Sequence, residues 1–236
     1  MSDREIQVQD HSAEFYEGSR YRGYGLRYHS AIIRGMVGDE LDGKILDVGC
    51  GTGIISRLYP DKDITGVDIS EGMLRYHPGK CLLGSADDIP FEDASFDAVI
   101  GRSILHHLGD PEKAVREILR VLRPGGKLVL WETNKSRPAD LVRRKAQPHD
   151  RFSETHGSFS DLPGLIRRYF TLRQVRYQGY VAYPLFGFPD IINFERRLPL
   201  KPLIFPMCWG VDEVLSRVPL IRKLGFAVRI KAEKPL

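Results

Sequence analysis

The nine residues ILDVGCGTG, Ile45 to Gly53, limit what this chain can fold into more than any other stretch. A continuous apolar run feeds straight into three glycines at alternate positions, Gly49, Gly51 and Gly53. An apolar run without alternation reads as a strand buried on both faces, the signature of a parallel sheet. Glycines at its end allow a sharp turn and let a ligand lie against bare backbone. Similar units follow. GIISRLY has helical spacing, DITGVDIS reads as a second strand, GKCLLGS as a short third and SFDAVIGRS as a fourth. DPEKAVREILRVLRPGG is the clearest helix: Asp110 caps it and Pro111 sits in its first turn. Ala114, Val115, Ile118, Leu119 and Leu122 form its apolar face, and Pro124-Gly125-Gly126 ends it. KLVLWET is a fifth strand. Strand and helix alternate, which implies βαβ units and an α/β fold.

After Asn134 the pattern changes. Residues 135–157 are polar and basic, SFSDLPGLIRRYF reads as a capped helix, and TLRQVRYQGY and FAVRIKAEKP alternate like strands. Between these two strands, at about 180–224, lies a segment rich in Pro and large apolar residues, which reads as an insertion in the last connection of the sheet. Charge divides the same way. Residues 1–134 hold 16 Lys and Arg against 22 Asp and Glu, a net −6, while residues 135–236 hold 19 against 9, a net +10. The two halves are expected to meet different partners.

Composition excludes several classes. The polar start MSDREIQVQD does not read as a secretory leader, and no run approaches the roughly 20 apolar residues of a membrane span. Cys50, Cys81 and Cys208 share no metal-ligand spacing, and an odd, scattered set fits a reducing cytoplasm. No metal is expected, and nucleic acid is disfavoured because no base-stacking signature is present.

The glycine spacing narrows the ligand. The dinucleotide fingerprint is G-x-G-x-x-G, yet its last glycine position is here Ile54, and no P-loop lysine follows. Asp47 places a carboxylate beside the loop, which suits an ammonium group better than a phosphate. Asp68 ends strand two, where an acid can accept both hydroxyls of a ribose. A ligand with a ribose and an amine but no phosphate is S-adenosylmethionine.

ILDVGCGTG, GVDIS, IPFEDASFDAVI, ILHHLGDP and EILRVLRPGGKLVLWE, together and in this order, resemble the class I S-adenosylmethionine-dependent methyltransferases, and more closely the type 11 methyltransferase family, which includes quinone-pathway and natural-product enzymes. The resemblance spans roughly residues 40–134 and implies a Rossmann-like, seven-stranded, mostly parallel sheet with an antiparallel last strand and an added cap. It implies a division into a lid region at 1–38, a cofactor-binding core at 39–134, and a C-terminal half at 135–236 that carries the insertion. It assigns Asp47 and the backbone of Gly49, Cys50, Gly51 and Gly53 to the methionine portion, Asp68 to the ribose and Ile69 to an adenine face. Where the family has an acid before alanine, this chain has Ser85 before Ala86, so the adenine amine falls to Ser85 or Asp87. Arg102 and Ser103 would lie near the sulfonium.

The N-terminal stretch EFYEGSRYRGYGLRYHSAI resembles the family's lid helix, with Tyr16 and Tyr21 as candidate cofactor contacts through cation–π attraction. His106 and His107 follow strand four, and either is a candidate base if the acceptor must lose a proton. His149 and His156 are further candidates to face the acceptor. In the insertion, Phe186, Phe188, Phe194, Leu198, Leu200, Leu203, Ile204, Phe205, Met207 and Trp209 alternate with Arg196, Arg197 and Lys201. That pattern suits an apolar acceptor of lipid or isoprenoid type, a cover over the site, or a peripheral bilayer contact. The expected activity is methyl transfer to such an acceptor by a cytoplasmic, membrane-associated enzyme. Two alternatives are a methyltransferase of a soluble polar metabolite and a non-catalytic S-adenosylmethionine-binding regulatory protein.

Overall fold

The computed structural model describes residues 7, 10, 13–14, 16–38, 42–136, 159, 161–187 and 200–236. Seven strands form one sheet in the order β3-β2-β1-β4-β5-β7-β6. They are β1 (Lys44–Val48), β2 (Asp63–Asp68), β3 (Lys80–Leu83), β4 (Phe96–Arg102), β5 (Leu122–Thr133), β6 (Thr171–Gln178) and β7 (Ala227–Glu233). The first five are parallel to one another, and β7 is antiparallel to both β5 and β6. The Rossmann-like α/β expectation is met. The strand order reverses between β1 and β4, and a crevice outside the carboxyl ends of the strands at such a point is where ligands of open α/β sheets bind.

Alternation along each strand divides the core into two layers. On one face Leu46, Val48, Val99, Leu128, Leu130, Val228 and Ile230 pack against α4 (Pro111–Val121) and α5 (Leu162–Arg167). On the other, Ile45, Ile100, Val129 and Trp131 pack against α1 (Gly23–Val37), α2 (Ile54–Leu58), α6 (Ala182–Phe186) and α7 (Lys201–Leu215). A short helix, α3 (Glu71–Leu74), follows β2. Each fully buried large apolar side chain contributes about 1.5–3 kcal/mol. Helix α1 commits Ile32, Ile33, Met36 and Val37, all buried, so it is anchored to the sheet as firmly as α4 is.

Helix α4 begins as its sequence predicts: the Asp110 carboxylate accepts from Lys113 N–H at 3.1 Å, and Pro111 occupies the first turn. Asp161 caps α5 in the same way through Gly164 N–H. Two expectations need correction. Pro124-Gly125-Gly126 does not separate α4 from β5: α4 stops at Val121, and Leu122 is already extended and paired with Phe96, so the three residues form an irregularity within β5. β7 does not alternate between core and solvent, because it lies between β5 and β6 with both faces covered. The insertion does lie between β6 and β7, and α6 and α7 belong to it. Residues 137–158, with His149 and His156, and residues 188–199, with Phe188, Phe194, Arg196, Arg197 and Leu198, lie outside the described residues.

Candidate active site

The turn after β1 is built by backbone bonds that only glycine-rich sequence permits. Gly49, Gly51 and Gly53 all take positive φ, at 71°, 53° and 78°. Gly49 and Cys50 N–H both donate to Val67 O, which draws the turn across to the end of β2. A Cβ on Gly49 would fall 2.9 Å from Ile104 and one on Gly53 2.5 Å from His77 and Pro78, whereas one on Gly51 would meet only Met73 Sδ at 3.9 Å. The loop is thus packed from behind and open at its middle glycine.

Asp68 closes the loop from the β2 side. Its carboxylate accepts from Gly51 N–H at 2.8 Å and from Ser70 N–H at 3.0 Å. Burial pushes its pKa up, and these backbone donors oppose the shift. A cleft here is lined by Gly49, Val67, Asp68, Ile69, Gly84, Ser85, Ala86, Ile104 and Leu108. Gly49, Asp68, Ile69, Ser85 and Ala86 are sequence-predicted and converge. Ile104 and Leu108 add apolar walls that the motif reading did not include.

Ser85 and Asp87 act as a pair. The Ser85 hydroxyl donates to the Asp87 carboxylate, whose pKa is lowered by that bond. With its hydrogen so engaged, the Ser85 oxygen presents only lone pairs to the cleft, the polarity an exocyclic amine requires.

Asp47 is the outlier. It is 2% exposed, and its Oδ2 has no hydrogen-bond partner among the described residues. Burial raises its pKa to about 7; Arg102 opposes the shift and Asp68 adds to it. A buried carboxylate oxygen without a donor, beside an open glycine turn, fits an ammonium ligand. The Cys50 thiol, by contrast, lies against Gly66 and donates to Gly51 O at 3.8 Å, and burial raises its pKa.

The end of β4 carries the second cluster. Arg102 donates to Tyr21 Oη at 2.6 Å and lies 3.4 Å from His29 Nδ1. Tyr21 in turn packs edge-on against Tyr16, with ring centroids 5.8 Å apart. Ser103 takes a left-handed backbone, φ 58°, uncommon for a residue with a Cβ, and its N–H donates to Trp131 O at 2.8 Å. That turn swings residues 104–107 over the sheet end. There Glu132, fully buried at the end of β5, accepts from Ile104 N–H at 2.7 Å and Leu105 N–H at 2.8 Å, and meets His106 Nδ1 at 2.8 Å. His107 is half-buried with its ring 4.2 Å from that of His106. Its charge acts on Asp68 in the direction that lowers the carboxyl pKa.

A strap of N-terminal residues crosses this whole edge. Asp10 accepts from Ser70 Oγ and from Gly72 N–H, Glu17 pairs with Arg57 at 2.7 Å, and Tyr21 holds Arg102. Sequence reasoning missed Asp10, His29 and Glu132. The signal for Glu132 was available: like Asp47, it is an acid at the carboxyl end of an apolar strand. Among the described residues no group of three His, Cys, Asp or Glu could hold a metal.

Residues 46–130 match a family model described as a methyltransferase domain, which bears out the resemblance for the core of the chain. A demethylmenaquinone methyltransferase of Renibacterium salmoninarum is 42% identical over 96 residues, 38% of this chain and 40% of that protein. A 27-O-demethylrifamycin SV methyltransferase of Amycolatopsis mediterranei is 34% identical over 114 residues, 42% of each. The matched stretch thus spans less than half the length of these curated relatives. Among solved structures, a protein of Thermotoga maritima described as an SAM-dependent methyltransferase, possible histamine N-methyltransferase, superposes with a TM-score of 0.67 at 21% identity, over 97% of this chain and 99% of that one. That likeness extends the shared fold beyond the matched core, through the C-terminal half.

Proposed function

We propose that the protein is an S-adenosylmethionine-dependent methyltransferase acting on an apolar, quinone-type acceptor. The observation that carries the cofactor reading is the orphaned Asp47 Oδ2 at the strand end that leads into the open Gly51 turn, next to a cleft lined by Asp68 and Ser85. Asp47 would hold the ammonium of the methionine portion and Asp68 the ribose hydroxyls. Ile69 would pack on the adenine, Ala86 would wall its pocket, and Ser85, polarised by Asp87, would take its amine. Arg102 and Ser103 would lie near the sulfonium under the Tyr16–Tyr21 lid. The division into lid, cofactor core and capped C-terminal half follows the same lines as these roles. The bound cofactor supplies an activated methyl group and its own leaving group, so the chain's task is orientation and exclusion of water.

A base is required only where the acceptor loses a proton. His106 would be the candidate for that task. A carboxylate can only accept, so the Nδ1 held by Glu132 carries the hydrogen and Nε2 is the basic nitrogen. The residues flanking the histidine pair, Ile104 and Leu108, line the cleft. His107, whose charge would favour the Asp68 carboxylate, would act there by electrostatics. The acceptor class comes from the relatives' names and from the apolar cap, where α6 and α7 set Phe186, Phe205 and Trp209 against Tyr24 and Tyr28 of α1.

Calorimetry with the demethylated cofactor, followed by transfer of a labelled methyl group to a demethylated naphthoquinone and to aqueous metabolite extracts, tests the reading. Binding with transfer to the quinone is the expected result. Transfer only into the aqueous extract would move the acceptor class to polar metabolites. Binding without transfer to either would favour a regulatory role, and tighter binding of NADH would overturn the cofactor assignment.

A further inference from the structure

Helix α7 splits its apolar residues between two faces. Its aromatics turn inward: Phe205 packs against Phe186 and Tyr24, and Trp209 against Tyr28. Of its aliphatics Ile204 packs inward with them, and five turn outward. Leu200, Leu203, Met207, Val211 and Val214 recur at spacings of three and four, one stripe of a helix, and are 46–69% exposed. Leu220, in the turn that follows, is 93% exposed. Scattered exposed leucines need no explanation, but a continuous stripe does.

The charges of the same segment identify what the stripe fits. Residues 200–224 contain two acids, and neither faces the stripe as a free charge. Asp212 is buried and accepts from Val181 N–H at 2.7 Å and Ala182 N–H at 3.3 Å, capping α6. Glu213 is paired with both Arg176 and Arg217. The exposed cations Arg222 and Lys223 have no such local neutralisation among the described ion pairs. Their backbone is fixed: Tyr180 Oη donates to Arg222 O at 2.6 Å, and Asn134 Nδ2 donates to Lys223 O at 2.8 Å. A rigid aliphatic stripe with a cationic end matches an interfacial helix on an anionic bilayer. A second copy of the chain fits less well, since it offers this patch the same cations and no unpaired acid from 200–224 to meet them.

We infer that the outer face of α7 and the 217–224 turn dock the protein onto an anionic lipid surface. The inner face of α7 rests on α1, whose N-terminal flank carries Tyr21 at the active edge, so a docked helix stands one element away from the site. The purpose of docking, delivery of an apolar acceptor, rests on the transferase reading above; the lipid contact itself does not.

The test is co-sedimentation of the full chain with vesicles of phosphatidylcholine and phosphatidylglycerol, against vesicles of phosphatidylcholine alone, at low and high salt. The chain should sediment with the anionic vesicles and lose much of that binding at high salt. The pair Leu203→Glu and Met207→Glu should weaken it by at least about tenfold, by removing two apolar contacts and adding like charge. Arg222→Glu with Lys223→Glu should weaken it at least about tenfold through charge alone. Both variants should keep wild-type affinity for the demethylated cofactor in calorimetry, which separates docking from the site. Absence of sedimentation with anionic vesicles, or unchanged sedimentation of both variants, overturns the inference. Light scattering that shows a dimer dissociated by Met207→Glu overturns it too, by giving the stripe to a second copy. Loss of cofactor binding in the wild type would sink the transferase reading and leave the docking result standing.

Discussion

Two strand ends bring a carboxylate below the surface at the same edge of the sheet, and they treat it in opposite ways. Glu132, at the end of β5, accepts from two backbone N–H groups and meets His106. Asp47, at the end of β1, leaves one oxygen with no partner and has its pKa raised to about 7. A satisfied buried acid fixes a loop. An unsatisfied one costs the fold free energy and keeps it only if something else binds there. The contrast separates a carboxylate whose acceptors are filled by the fold from one with an acceptor the fold leaves open.

The largest expected effect lies on the satisfied side. Glu132→Ala strands two buried N–H groups and the His106 ring and should cost about 3–5 kcal/mol of stability in thermal or denaturant unfolding. A loss under about 1 kcal/mol would show that the 104–107 turn holds itself. Asp68→Ala comes next. It should weaken binding of the demethylated cofactor by about 1.5–3 kcal/mol in calorimetry, since two charge-assisted ribose bonds and the Gly51 N–H partner go together. Wild-type affinity in that variant would remove Asp68 from the site.

Asp47→Asn should split the two readouts. Cofactor affinity should fall by about 1–2 kcal/mol while the ligand-free protein gains about as much stability above neutral pH. The pH dependence has a definite sign. The folded pKa, about 7, lies above the unfolded value, so between them the folded state holds a proton that the unfolded state has lost. Stability of the ligand-free protein should fall as pH rises from about 4 toward 7 and stay flat above, a slope the variant lacks. Cofactor affinity should run the other way, rising with pH until the carboxylate is formed. The smallest effect belongs to the lid. Tyr21→Phe removes one bond to Arg102, so cofactor affinity in calorimetry should change by about 0.5–1.5 kcal/mol, with the fold intact.

Most of the sheet was legible because its determinants are local. Asp110-Pro111 and Asp161 cap their helices, and the glycine turn follows its strand, as near-neighbour chemistry demands. The coverage of β7 on both faces was not legible. It depends on β6 and the insertion arriving from elsewhere in the chain, and no period in FAVRIKAEKP reports that. The same limit applies within the site. Asp47 and Asp68 announce themselves as acids ending apolar strands. The division of labour between Asp47 and Glu132 depends on which backbone donors lie within reach, and those come from residues 104 and 105. The outward aliphatics and inward aromatics of α7 are likewise set by α1 and α6, not by composition, which marked both groups only as apolar.

The strap adds a temporal consequence. Asp10, Glu17 and Tyr21 grip three different elements: the start of α3, α2 and the end of β4. Their free energies add, so the dwell time of whatever lies beneath them is multiplied: three contacts of about 0.7 kcal/mol each would lengthen it roughly thirtyfold over a chain without them. Stopped-flow release of the demethylated cofactor from a variant carrying Asp10→Ala, Glu17→Ala and Tyr21→Phe should therefore be faster by about that product. Changes in this short N-terminal stretch would then alter the release rate without touching the residues beneath it.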